Sequence, residues 1–198
     1  MKHLKMATFA AVATVALTVF MGAGVASATE LYSGATTLKS GTKADFSAVG
    51  SIVLEDTSTN RLQTCTGGTY LISFENTGSA GVAVKGSVSK EGLTWTGCSV
   101  PTSTTEGGQI EISWTSGTNG TVTAKGFKIS VNTILFGNCV FTAGTGTDMG
   151  TLAGSTTGTA TLAINAVLTK VSGICGATII YSGTFVATSP DPLHVTNS

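Results

Sequence analysis

The chain has 198 residues, of which 36 are Thr, 20 Ser and 26 Gly, and only 10% are charged, where soluble domains carry about 25%. Ten basic and ten acidic residues cancel, and cations so few and scattered exclude a patch fit for a nucleic-acid backbone. The two histidines are His3 and His194, which leaves little room for His-based catalysis or a His-rich metal site.

The first 28 residues read as a secretory leader. Lys2 and Lys5 form a short positive region, and residues 6 to 25 are apolar or small and carry no charge. Ala26-Ser27-Ala28 is the small-x-small pattern of a cleavage site, followed by polar Thr29-Glu30. An uncleaved anchor is the alternative, since about 20 apolar residues just span a bilayer. No later run approaches that length. Cleavage would leave eight Lys and Arg against ten Asp and Glu. The expected organisation is a cleaved signal peptide over 1–28, one β-sandwich domain over 29–188, and a C-terminal tail or short edge strand over 189–198. Export to the extracellular space or cell surface follows.

Beyond the leader, period-2 alternation dominates and no helix is expected. Tyr70, Ile72 and Phe74 share one face against Leu71, Ser73 and Glu75; Ile110, Ile112 and Trp114 alternate with Glu111 and Ser113. Ala160, Leu162, Ile164, Ala166 and Leu168 form a longer row, and Ile179, Tyr181 and Phe185 share a face with Gly183. On a pleated strand such rows enter a core while the intervening residues meet water. Thr suits the outward positions because it is β-branched and polar. Clusters at residues 58–60, 67–68, 76–78, 116–120 and 143–150 supply turns, with Asn119-Gly120 expected to join two of the strands as a hairpin. About ten short strands without crossover helices define an all-β fold: an antiparallel β-sandwich, with a β-barrel as the alternative.

Cys65, Cys98, Cys139 and Cys175 are 33, 41 and 36 residues apart, too far for a structural zinc site, whose ligands come in close pairs. An even count in an exported chain favours two disulfides. Of the three connectivities, Cys65–Cys98 with Cys139–Cys175 is favoured because each pair brackets adjacent strands.

The motifs that resemble chemistry fail in detail. Asp56 to Asn60 starts like a calcium loop, but its sixth position is Arg61 and its twelfth Gly67, where Gly and Glu are required. The Gly144–Gly150 run is one residue too long for a dinucleotide loop and no helix follows it. A hydrolase triad would have to recruit His194 from a Pro-flanked tail, where an exposed imidazole is the ordinary expectation. Glu106 and Glu111 are five residues apart on extended chain, too far for a glycosidase pair. No catalytic residue, metal or cofactor is therefore expected. Trp95 and Trp114 are the strongest ligand-contact candidates, with Tyr181, through stacking on a sugar or apolar ligand; core packing is the competing role for each Trp.

Four segments carry a resemblance: Gly92 to Cys98, Glu111 to Trp114, Val131-Asn132-Thr133 with Gly137-Asn138-Cys139, and Thr188 to Leu193. Through them the chain resembles a group of small exported Thr/Gly-rich actinobacterial proteins without assigned activity. More distantly it is similar to the secreted alkane-oxidation activator family, through the Gly-Cys elements and Thr-rich β pattern. The resemblance implies export and a β-sandwich, with association to a surface or hydrophobic substrate. Three roles follow: a secreted non-catalytic surface or extracellular-matrix protein; a module for a cell-surface glycan or apolar ligand; and a membrane-active oligomeric β protein. Low charge and Val/Ile/Thr-rich strand edges also favour self-association.

Overall fold

The computed structural model describes residues 28–57, 61–79, 81–100, 104–133 and 136–197. The expected leader, apart from Ala28, and the Ser58-Thr59-Asn60 turn lie outside these residues. The described chain is all strand, turn and bend: β1 (Thr29–Ser33), β2 (Thr36–Thr37), β3 (Lys43–Ala48), β4 (Ile52–Asp56), β5 (Arg61–Phe74), β6 (Val84–Cys98), β7 (Thr104–Ser116), β8 (Asn119–Thr133), β9 (Gly137–Ala143), β10 (Asp148–Ala153), β11 (Thr161–Ser172), β12 (Thr178–Ser189) and β13 (His194–Asn197).

Ten of these strands make one antiparallel sheet in the order β10-β11-β9-β8-β7-β6-β5-β3-β12-β4, and β13-β1-β2 make a second, small sheet. Two rows of the large sheet are interrupted strands. β3 and β4 both lie between β5 and β12; β9 and β10 both lie between β8 and β11. Counted as rows, neighbours follow chain order, and β12 returns to β11 on one side and to β3 and β4 on the other. The sheet therefore folds over into two facing layers.

It is a sandwich and not the closed barrel of the alternative expectation. The seam between β6 and β7 is laddered only from Val84–Val88 to Gly108–Ile112. Beyond it, among the described residues, Leu93–Cys98 of β6 pair with β5 alone, and Thr104–Gly107 of β7 pair with β8.

The alternation read from the sequence sets the burial. Tyr70, Ile72, Phe74, Ile110, Ile112, Leu162, Ile164, Ala166, Leu168, Ile179, Tyr181 and Phe185 are all buried in one core. Aromatic rings join its layers: Phe127 of β8 stacks between Tyr70 of β5 (6.1 Å) and Tyr181 of β12 (6.5 Å), and Phe185 meets Tyr70 edge-on at 5.3 Å. Gly183 occupies the inward row because a Cβ there would lie 3.1 Å from the Phe185 ring.

The ends of the sandwich are finished differently. At one end the small sheet packs Leu31, Leu193 and Val195 against the core. At the other, Cys65–Cys98 and Cys139–Cys175 are disulfide-bonded, the pairing favoured from the sequence. Cys65 and Cys98 face each other across β5 and β6.

Two turns differ from their expectations: Gly67-Gly68 lie inside β5, opposite Thr96 and Trp95 of β6, and the turn between β7 and β8 falls earlier than expected. Ser116 pairs with Asn119, so Gly117-Thr118 forms the hairpin turn and Asn119-Gly120 begin β8. Gly117 supplies the positive φ (55°), which leaves Asn119 free to accept the Gly154 amide on Oδ1 at 3.1 Å. The imidazole expected in an exposed tail is a further correction. His194 begins β13, is only 4% exposed and stacks on Tyr32 at 5.5 Å.

Candidate functional site

The three aromatic candidates separate into two places. Trp95 stands opposite Gly68 across the β5–β6 ladder. With no side chain on Gly68, the indole lies over that backbone, and a Cβ there would sit 3.2 Å from Trp95 Cδ1. Its ring is tilted against Tyr181 at 5.7 Å, and Tyr181 itself is 0% exposed. Tyr181 is therefore interior, and Trp95 is a half-buried ring packed against it from the edge of the core.

This pair belongs to a polar cluster inside the core. Tyr70 Oη, Tyr181 Oη and Trp95 Nε1 are buried, and none completes a hydrogen bond. Burial drives the Tyr70 hydroxyl well above its ordinary pKa, with Tyr181 adding to the effect. Burial also raises Tyr181, and the nearby Trp95 N–H partly offsets this by favouring the phenolate. Both tyrosines stay neutral across the physiological range.

Trp114 is at the opposite end of the fold, next to the small sheet. Its backbone N–H donates to Thr29 Oγ1 (2.9 Å), and its indole N–H donates to Gly117 O (2.9 Å). These bonds fix a half-buried ring on one wall of a groove of about 500 Å³, lined also by Thr29, Val82, Lys85, Glu111 and Ser113. Glu111 lies between Lys85 (3.8 Å) and Lys125 (3.5 Å). The groove thus brings a half-buried indole together with a charged hydrogen-bonding group, Glu111 with its lysines. That combination is suited to a sugar, whose C–H faces stack while its hydroxyls hydrogen-bond.

The remaining sequence candidates behave as structure. Glu111 is engaged by two lysines, and Glu106 is exposed on the same strand. The Gly144–Gly150 run bridges β9 and β10 and is tied to β8 by Ala124 N–H to Thr147 O and Gly146 N–H to Ala124 O. Among the described residues, no group of three or more His, Cys, Asp or Glu could hold a metal ion.

The partners of Trp114 escape a sequence reading because Thr29 and Lys85 reach it through non-local pairing. The only local signal is the outward row Glu111 and Ser113 beside it on β7. No family model, curated protein or solved structure matches the chain.

Proposed function

We propose that the chain is an exported, non-catalytic protein of the cell surface or extracellular matrix. The observation that carries this reading is the pair of disulfides clamping one end of the sandwich, since such bonds persist in oxidising compartments. The leader-like first 28 residues and the similarity to small exported Thr/Gly-rich proteins support it. Catalysis is left out of the proposal because the imidazole of His194 is buried and packs on Tyr32, its cross-strand partner in the small sheet. The test is fractionation of producing cells, with the N-terminus of the recovered protein read directly. Recovery outside the membrane, starting at Thr29, supports the proposal; retention in the cytoplasm with an intact leader overturns it.

A second reading rests on the Trp114 groove, which combines a fixed indole with Glu111 and its lysines. There the protein would bind a surface glycan. Titrating oligosaccharides against intrinsic fluorescence is the check: quenching that Trp114→Ala abolishes and Trp95→Phe leaves in place supports the groove. Quenching that survives Trp114→Ala contradicts it. The membrane-active reading has less support, because a single-chain transmembrane barrel puts apolar side chains outward and polar ones inward. Here the apolar rows face the core.

A further inference from the structure

Thr29, the residue that follows the expected cleavage after Ala28, lines the Trp114 groove and accepts the Trp114 backbone N–H on its hydroxyl at 2.9 Å. Its own backbone nitrogen is turned to the same place. Leu31, two residues on, donates its N–H to Thr77 O and accepts the Leu38 N–H on its carbonyl, so both backbone groups point away from its β13 partner, Val195. Every second residue of a strand repeats this orientation. Thr29 therefore turns its N–H and C=O away from Asn197, its partner on β13, and towards the connection between β5 and β6. Gly78 of that connection agrees, since a Cβ there would run into Thr29 O, and Gly81, Val82 and Ala83 further along it line the groove.

The charges that connect to the groove balance. Lys85 and Lys125 both reach Glu111, each through Oε1. Glu75 donates its backbone N–H to Lys85 O, and its carboxylate accepts the Gln109 amide at 2.8 and 3.1 Å. Glu30, next to Thr29, alternates to the other side of β1 and accepts the Tyr32 hydroxyl at 2.8 Å. Two cations at the groove thus stand against two carboxylates. Cleavage after Ala28 adds an α-ammonium at Thr29, positive at neutral pH, and leaves one cation in excess.

We propose that removal of the leader completes this groove as a site for acidic sugar chains, in which the Thr29 α-ammonium takes a uronate carboxylate while Trp114 stacks on the ring. Thr29 is only 2% exposed, so an ammonium in its place is partly shielded from water. A charge-assisted bond made there is stronger than one to a surface lysine. Both lysines use Oε1 of Glu111, which assigns Oε2 to a sugar hydroxyl. A neutral sugar has Trp114 and Glu111 to bind; an acidic sugar has these and the ammonium. The new N-terminus therefore sets selectivity rather than binding as such.

The inference rests on the cleavage and groove readings above, and its test is separate from both. Oxidised protein made to begin at Thr29 is used, so the outcome does not depend on whether cells perform the cleavage. The probe is a short oligogalacturonate, with its methyl ester as a neutral copy of the same chain, each titrated against intrinsic fluorescence. The acid should bind about tenfold more tightly than the ester, and Trp114→Ala should abolish quenching by both. Acetylating the Thr29 amine, with the position checked by peptide mass, should lower affinity for the acid to that for the ester and leave the ester unchanged. Lys128→Gln removes the same unit of charge at the far end of β8 and should change neither affinity. Equal binding of acid and ester, or acid binding indifferent to acetylation, overturns the inference and leaves the groove as a neutral glycan site if Trp114 is still required. No quenching by either probe overturns the inference, and the neutral oligosaccharide titration then decides the groove reading by itself.

Discussion

Gly68 shows how one residue sets the position of another. A side chain there would run into Thr94 O and come within 2.8 Å of Ile52 Cδ1 and 3.2 Å of Trp95. Gly68→Val should cost about 1–3 kcal/mol through overpacking and shift Trp95 emission, as read by urea unfolding and fluorescence. Tyr70 predicts the opposite kind of effect. Its hydroxyl is buried without a hydrogen bond, so Tyr70→Phe should be neutral or stabilising, within about 1 kcal/mol. Phe127→Ala, which empties the space between the two tyrosines, should cost about 3–5 kcal/mol.

His194 gives a pH dependence. Burial lowers its pKa below the ordinary histidine value, opposed in part by a backbone hydrogen bond at Ser155. The unfolded chain therefore takes up the proton first as pH falls. Stability from this group is fully present above the ordinary histidine range and is lost as pH drops through it towards the lower folded value. Thermal unfolding followed from pH 7.5 to 5 should show Tm falling, and His194→Gln should flatten that slope.

At the scale of elements, the strands and their inward rows were legible because burial follows a period of two. Tyr70, Ile72 and Phe74 or the row from Leu162 to Leu168 need no knowledge of partners to be assigned. The favoured disulfide pairing followed from the same logic, since each pair brackets neighbouring strands. The interrupted rows β3/β4 and β9/β10 were not legible, because whether a break ends a row or only kinks it depends on the strands alongside. Asn119-Gly120 misled for a related reason: Gly117 two residues earlier meets the same conformational demand, and pairing of Ser116 with Asn119 settles the register. Tyr181 could not be separated from Trp114 in sequence, since an inward tyrosine and a groove-lining tryptophan sit in equally regular alternation. Only the layers show that Tyr181 is interior. The disulfides carry an element-scale prediction. Removing the Cys139–Cys175 bond by Cys139→Ala with Cys175→Ala should cost about 3–4 kcal/mol for a loop of this length, measured as a loss in denaturant midpoint. Trp114 emission, at the opposite end, should stay unchanged in the folded state.

At the scale of the whole molecule, low charge and Thr-rich strands combine into a body with a stapled end and a lidded end. Self-association by exposed edges, expected from the sequence, has a flank to use along Thr94–Cys98 of β6, which among the described residues ladder with β5 alone. The central claim remains export in an oxidised, processed form, and intact mass spectrometry of protein recovered from outside the cells tests it most directly. The account predicts a chain beginning at Thr29 whose mass is reduced by the hydrogens of two disulfides and which takes up no thiol-blocking reagent until it is reduced. A chain that retains residues 1–28 and carries four freely alkylated cysteines would contradict it.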